Sequence, residues 1–309
     1  MSTLLVSHHC FLDHDTGHGH PERADRLRAI EKALSAPSFK HLVRMDAPKA
    51  TVEQISLAHP KEHIAFIEKH IPDTDKYYLD GDTVLSPQSW EAILRSAGAG
   101  ILAVDEVMAG RVKNAFCAVR PPGHHAERHQ AMGFCFLNNI AIAAYHAKTF
   151  HHCERIAIID FDVHHGNGTQ DIFWDEKDVF YGSTHEMPLF PGTGLLTEIG
   201  ADNIFNAPLA AFSGGDVFRQ TMQHSILKPL QRFAPDFIFI SAGFDAHADD
   251  PLATLTLDET DFSWITQELV DIAEKTASGR LVSMLEGGYD LNSLARSVAA
   301  HVLQLMKAN

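Results

Sequence analysis

Four short apolar runs, at residues 115–119, 156–159, 237–240 and 281–285, each give way at once to a polar or glycine-rich motif. Between them lie stretches with helical periodicity. A chain that alternates in this way is constrained to an α/β fold with a mostly parallel β-sheet flanked by helices, because parallel strands need crossover connections, usually helices. In such sheets, sites form in the crevice beyond the carboxyl ends of the strands. The motifs at those ends are Arg120-Pro121-Pro122-Gly123-His124-His125, Asp160-Phe161-Asp162-Val163-His164-His165-Gly166-Asn167-Gly168, Ser241-Ala242-Gly243-Phe244-Asp245 and Glu286-Gly287-Gly288-Tyr289. Four strand ends carrying His, Asp and Tyr predict one catalytic cleft.

Spacing within the second motif carries the chemistry. Asp160, Asp162 and His164 alternate with Phe161 and Val163. In extended chain the three polar groups share one side and the apolar pair faces the core. The bland alternative, a strand end with solvated polar residues, leaves the carboxylate and histidines at neighbouring strand ends unexplained. A catalytic zinc takes three protein ligands and keeps one position open. Asp162, His164 and Asp245 fit that set, with Asp160 left to orient a histidine or hold a monovalent cation. Zinc and Fe(II) both remain open, since such ligation is not strongly selective by geometry.

The rest of the chain frames this cleft. Helices are expected at 21–34, with Pro21 at the first helical position, and from an N-cap at Ser86, followed by Pro87, to 108. Others are expected at 138–150, 214–233, 258–276 and 291–306, with long loops at 8–20, 72–86, 182–215 and 244–257. No repeat or Gly/Ser-rich linker interrupts the 309 residues, so 1–309 reads as a single domain. No apolar stretch approaches a membrane span, and Met1 to Val6 lacks the basic region and apolar length of a secretory signal. Cys10, Cys117, Cys135 and Cys153 show no C-x-x-C spacing and read as reduced packing residues of a cytoplasmic protein. The formal charge of −15 argues against direct nucleic-acid binding and is compatible with cationic substrates. His8, His9, His14, His18 and His20 read as a polar loop at the cleft rim, with a second metal site as the alternative.

The motifs together resemble the histone deacetylase family, within the arginase/deacetylase fold. HPER at 20–23, RPPGHH at 120–125, GFCFLNN at 133–139, DFDVHHGNGTQ at 160–170, PGTG at 191–194, SAGFDAHADDP at 241–251 and EGGY at 286–289 follow the family's order across almost the whole chain. GNGTQ, SAGFD and EGGY are more similar to class II and bacterial deacetylase-like amidohydrolases than to class I. The resemblance implies Asp162, His164 and Asp245 as zinc ligands and His125 as the general base. It implies His124, hydrogen-bonded to Asp160, as the electrostatic partner, and Asn167 in place of the acid that orients the second histidine in class I. Tyr289 matches the residue that polarises the acyl carbonyl. Phe134 and Phe190 match the walls of an acyl-lysine tunnel, with Gly133 and Leu252 beside it. Asp160 and Ser183 match side-chain ligands of a structural potassium ion, and Arg23 aligns less securely with an arginine near an acetate-exit channel.

These roles are chemically coherent. A bound metal polarises an amide carbonyl and acidifies water. A histidine takes the proton, and a tyrosine hydroxyl stabilises the oxyanion. Pattern alone would make Phe134 and Phe190 ordinary core aromatics and Tyr289 a turn residue. A two-manganese ureohydrolase on the same fold would need further carboxylates where Gly166 and His247 stand. A non-catalytic acyl-ligand binder is the reading from another class. The expected partner is an acetylated lysine peptide or protein, or an acetylated amine such as an acetylpolyamine. The sequence is compatible with an oligomer.

Overall fold

The computed structural model describes residues 2–308; Met1 and Asn309, the ends of the expected domain, lie outside the described residues. Among the described residues there are ten strands: β1 Thr3–Ser7, β2 Val43–Asp46, β3 Tyr77–Tyr78, β4 Val84–Leu85, β5 Asn114–Cys117, β6 Ile156–Asp160, β7 Val179–Glu186, β8 Ile204–Leu209, β9 Phe237–Ala242 and β10 Leu281–Leu285. The helices are α1 Asp25–Leu34, α2 Val52–Ile55, α3 Lys61–Lys69, α4 Ser89–Met108, α5 Asn139–His151, α6 Asn167–Ile172, α7 Gly215–Thr221, α8 Lys228–Phe233, α9 Glu259–Thr276 and α10 Leu291–Lys307.

Eight strands form one sheet in the order β2-β1-β5-β10-β9-β6-β7-β8, and every pairing within it is parallel. The short β3–β4 pair is antiparallel and lies in the expected 72–86 loop. Helices α4 and α5 pack together against β5, β10 and β9, while α1, α10 and α9 form a second layer on the opposite face. The four strands that end in the sequence motifs, β5, β10, β9 and β6, are consecutive at the centre of the sheet. Being covered on both faces, they are continuous apolar runs: Ile238, Phe239 and Ile240 of β9 are wholly buried. Each such side chain stabilises the fold by roughly 1.5–3 kcal/mol.

Local chemistry sets the helix ends. Asn138 caps α5 through Ala141 N–H, 3.0 Å, and Asp258 opens α9 with a reciprocal capping box to Asp261. Between α7 and α8 the helix widens to a π-turn at Met222–Leu227. Pro229 lacks the N–H for an α-helical bond and crowds the carbonyl four residues back.

Three expectations are corrected. The first helix begins at Asp25, not Pro21, because the Glu22 carbonyl is turned towards Thr16 Oγ1 (2.6 Å) and Arg120 Nη2 (3.3 Å). The long helix begins at Ser89, not after a Ser86 cap: Ser86 Oγ accepts from Asp15 N–H (3.1 Å) in the N-terminal loop. The stretch 182–215 is not one loop, since it holds the end of β7 and all of β8. Strand β7 has the polar sequence VFYGSTHE yet is buried throughout, so hydropathy conceals it.

Candidate active site

Beyond β6 the chain follows its alternation. Phe161 and Val163 turn into the core, and Asp160, Asp162 and His164 turn into the cleft. His164 Nδ1 lies 3.1 Å from Asp162 Oδ1 and 3.1 Å from Asp245 Oδ2. The carboxylates are fixed from behind: Gly287 N–H donates to Asp162 Oδ2 (2.7 Å) and Val163 N–H to Asp245 Oδ1 (2.9 Å). Only glycine fits at 287, where a Cβ would lie 2.1 Å from Asp245 Oδ2 and 2.6 Å from Asp162 Oδ2.

This trio fits a divalent metal. Its three ligand atoms lie within 4.8 Å of one another and all three residues are buried. Burial alone would strip the proton from His164, yet the hydrogen bonds to Asp162 and Asp245 push its pKa up to about 10. A site that attracts a proton so strongly against its burial is one built for positive charge.

The adjacent histidines are held by two further strand ends. Glu286, after β10, accepts from Gly123 N–H (2.7 Å) and His124 N–H (3.1 Å), and Ser241 Oγ–H donates to its other oxygen (3.0 Å). Glu286 is thus the brace of the histidine loop, a role its place in EGGY did not reveal. His124 Nδ1 pairs with Asp160 Oδ2 at 3.0 Å. Burial opposes its charge, but Asp160, Asp162 and Glu286 outweigh it and raise its pKa to about 10.

His125 has the opposite environment. Burial, then the charges of His124 and His164, hold its pKa well below the ordinary value. Its Nδ1 is 2.9 Å from Asn167 Oδ1, while Asn167 Nδ2 donates to Glu127 Oε1 (2.8 Å). With the amide so oriented, Oδ1 accepts from His125 Nδ1–H and leaves Nε2 as the basic nitrogen. Two neighbouring imidazoles are therefore driven apart, one charged and one neutral. Such divergence is the signature of assigned acid and base roles.

A cavity of about 370 Å³ leads to these groups, lined by Gly133, Phe134, Phe190, Leu252, Tyr289, His125 and His164. All seven were singled out from sequence. Gly133 has φ +57°, and a Cβ there would meet the His125 ring at 2.6 Å. Phe134 follows in the left-handed region at φ +68°, its N–H on Thr83 Oγ1 (3.3 Å). The Phe190 ring stands edge-on to His125 at 5.1 Å, and Phe134 edge-on to Tyr289 at 5.9 Å. Burial, then the Asp245 carboxylate, keep the Tyr289 hydroxyl protonated well above its ordinary range.

The same cavity is lined by His20 and Pro21, which open the HPER motif at the expected rim, and by two residues that no motif flagged, Leu189 and Asp82. Partial burial, then neighbouring Asp80, raise the Asp82 pKa. No motif surrounds Asp82; it is brought to the mouth by folding of the β3–β4 segment. The resemblance set Arg23 near an acetate-exit channel. Arg23 is half exposed and pairs with Asp25 at 3.6 Å. It is Arg26 whose guanidinium stacks on the Tyr289 ring, 5.0 Å from its centroid. Arg26 also donates to the Gly288 (2.6 Å) and Glu286 (2.5 Å) carbonyls. Glu22 bridges Arg26 (3.0 Å) and Arg120 (2.8 Å), which explains why HPER and RPPGHH both carry a charge into the interior. Burial opposes the Glu22 charge, but Arg120 holds its pKa near 2.

The remaining expected residues sort by geometry. Asp160 and Ser183 face each other in register across β6 and β7, both buried. Asp160 bonds His124 and Tyr181 (3.2 Å), and Ser183 Oγ bonds His185 Nδ1 (3.0 Å). The five N-terminal histidines do not gather. His14 is buried against Ser89 (2.7 Å), His20 bonds the Asp82 carbonyl (3.0 Å) at the mouth, and His8 and His9 line a different cavity.

Comparison with known proteins places the chain among relatives. A family model described as the histone deacetylase domain matches residues 20–305. Histone deacetylase 10, chloroplastic, of Oryza sativa subsp. japonica is 40% identical over 301 residues, covering 91% of this chain and 68% of that protein. The histone deacetylase-like amidohydrolase of Pseudomonas aeruginosa is 40% identical over 277 residues, covering 88% and 73%. A probable deacetylase of Archaeoglobus fulgidus is 36% identical over 298 residues, covering 94% and 82%. The crystal structure of the HDA15 HD domain superposes with a TM-score of 0.94 at 35% identity, covering all of this chain and 90% of that one.

Proposed function

Because this chain belongs to the histone deacetylase family, we propose that it is a zinc-dependent amidohydrolase that removes acetyl or related acyl groups from amines, with acyl-lysine as the preferred class. The observation that carries this is the junction of the Asp162–His164–Asp245 trio with a charged and a neutral histidine at the foot of one aromatic-walled cavity. Asp162, His164 and Asp245 would hold the zinc. When bound, it would polarise the acyl carbonyl and acidify water; iron(II) satisfies the same donors.

The chain's own residues do the rest. His125 Nε2, the free nitrogen of a ring anchored at Nδ1, receives the proton of the attacking water and returns it to the leaving amine. His124 stays charged on Asp160 and stabilises negative charge growing beside it. Tyr289, neutral and fixed, donates its O–H to the oxyanion. Phe134 and Phe190 flank a linear stem, at about 0.8 kcal/mol per buried methylene. Asp160 and Ser183 are assigned to a potassium ion behind the site. The whole described chain acts as one catalytic domain. No described helix is long and apolar enough to cross a membrane. Four free, buried cysteines support a reducing compartment, the cytoplasm. Turnover of a fluorogenic acetyl-lysine peptide, abolished by a chelator and restored by zinc, is the expected result. Tight acetyl-lysine binding without turnover in zinc would favour a non-catalytic binder instead.

A hydroxamate on a linear aliphatic or aryl linker is expected to inhibit, with its linker along the Phe134 and Phe190 rings. Inhibition is expected to weaken on changing either residue to Ala. Equal potency against Phe134→Ala, Phe190→Ala and wild type would remove the rings from the tunnel assignment.

Substrate class turns on the mouth. Leu252 lines it with an apolar side chain, which favours a lysine or another amine with an apolar tail. Of the nearby acids, Asp249 is engaged by Arg296 (3.1 Å), and Asp250 turns inward to accept Tyr289 N–H (2.7 Å). Asp82 at the mouth supports the second reading, an acetylpolyamine amidohydrolase, because a carboxylate there can pair with a distant ammonium. An acetyl-lysine peptide is expected to show the higher kcat/KM against N8-acetylspermidine, and Leu252→Glu to narrow the gap. A tenfold wild-type preference for the polyamine would reverse the order of these readings.

A further inference from the structure

On the helical layer formed by α4 and α5, three side chains converge that the cleft does not use. His146 Nε2 and His151 Nε2 lie 2.8 Å and 2.7 Å from the same atom, Asp105 Oδ1. All three ligand atoms fall within 4.8 Å of one another, the same closeness as in the cleft trio. We propose that Asp105, His146 and His151 form a second metal site, for a late first-row divalent ion of which Zn²⁺ is the probe.

The donor set selects the ion class. Two imidazoles and one carboxylate suit Zn²⁺, Cu²⁺ or Ni²⁺ and are poor for Mg²⁺ or Ca²⁺, which take oxygen ligands. Tetrahedral zinc with bonds near 2.0–2.2 Å separates its ligands by about 3.3 Å, so insertion asks each side chain to move by about half an ångström. The side chain of His146 is only 6% exposed, which fixes one donor, whereas Asp105 is 43% and His151 25% exposed. An ion there keeps a coordination position open to solvent. Asp105 lies in the last turn of α4 and His151 is the last residue of α5. The carbonyl ends of two helices therefore lie close to the ion, and their partial negative charge favours a cation.

The placement gives the ion a mechanical role. Asn138 and Asn139, at the start of α5, bond the Ala126 (3.2 Å) and Pro121 (3.2 Å) carbonyls of the loop that carries His124 and His125. His151 lies roughly 18 Å further along the same helix. An ion bridging α4 to α5 there stiffens the helix behind the histidine loop without touching substrate.

The test separates this site from the cleft. Metal-stripped full-length protein is titrated with zinc by calorimetry and equilibrium dialysis. Wild type is expected to take two equivalents at micromolar free zinc, Asp245→Ala one and Asp245→Ala/His151→Ala none. His151→Ala alone is expected to take one and keep its deacetylase turnover. Asp105→Asn, which preserves shape, is expected to abolish the zinc-dependent rise in Tm seen in the Asp245→Ala background. If Asp245→Ala takes no zinc, the second site is overturned while the cleft assignment stands; if it takes zinc equally with and without His151, the second site is overturned, and the zinc it retains counts against the cleft ligand set as well. If wild type takes one equivalent and His151→Ala takes none, the helical site stands and the cleft assignment falls.

Discussion

Asp245→Ala is expected to lose one tight equivalent of metal and all turnover, while His125→Ala keeps its full metal content and loses turnover alone. The geometry separates the two roles. Asp245 Oδ2 faces His164 Nδ1 at 3.1 Å, so its removal leaves two protein donors where three are needed. It also strands the Val163 N–H that Asp245 Oδ1 accepts. His125 bonds Asn167 and no member of the trio. Its loss removes a proton acceptor, an effect of ~10² to 10⁴ in rate. Elemental analysis of both purified variants beside wild type checks this. An Asp245→Ala protein with undiminished cleft zinc would show that the ligand set is wrong.

Tyr289→Phe is expected to retain fold, Tm and metal and to lower kcat by ~10² to 10³, the typical effect of losing one oxyanion donor. The hydroxyl makes no hydrogen bond among the described residues, so removing it leaves no buried partner unsatisfied. The ring remains against Arg26, and its backbone remains on Asp250. The loss should fall on kcat rather than KM, because the interaction grows as charge develops on oxygen. A variant with near wild-type kcat on an acetyl-lysine substrate would take Tyr289 out of the chemistry.

Within the eight-stranded sheet, the four strands legible in the sequence are the central ones, and the four missed are the outer ones. Central strands are covered on both faces and are therefore apolar over most of their length, as 237–240 is. Strand β2 is exposed along its whole length. Strand β7 is buried but polar, because Ser183, His185 and Glu186 find partners inside: His185 with Gly194 O (2.9 Å), and Glu186 with Thr254 N–H (2.8 Å). Burial of satisfied polar groups leaves no hydrophobic pattern to read.

The sequence by itself determined the parallel α/β class, the cleft at the central strand ends and the residues that meet there. The class and the cleft rest on short-range regularities, apolar runs and a two-residue alternation, and the residues that meet there rest on seven motifs in the order of the family they resemble. Tertiary structure alone decided that Glu286 braces the histidine loop, that Arg26 backs Tyr289, that Asp82 stands at the mouth, and that Asp105 meets His146 and His151. Those partners lie 41 to 262 residues apart. Their meeting depends on the order of strands in the sheet and the packing of its helices, which no local pattern of residues encodes.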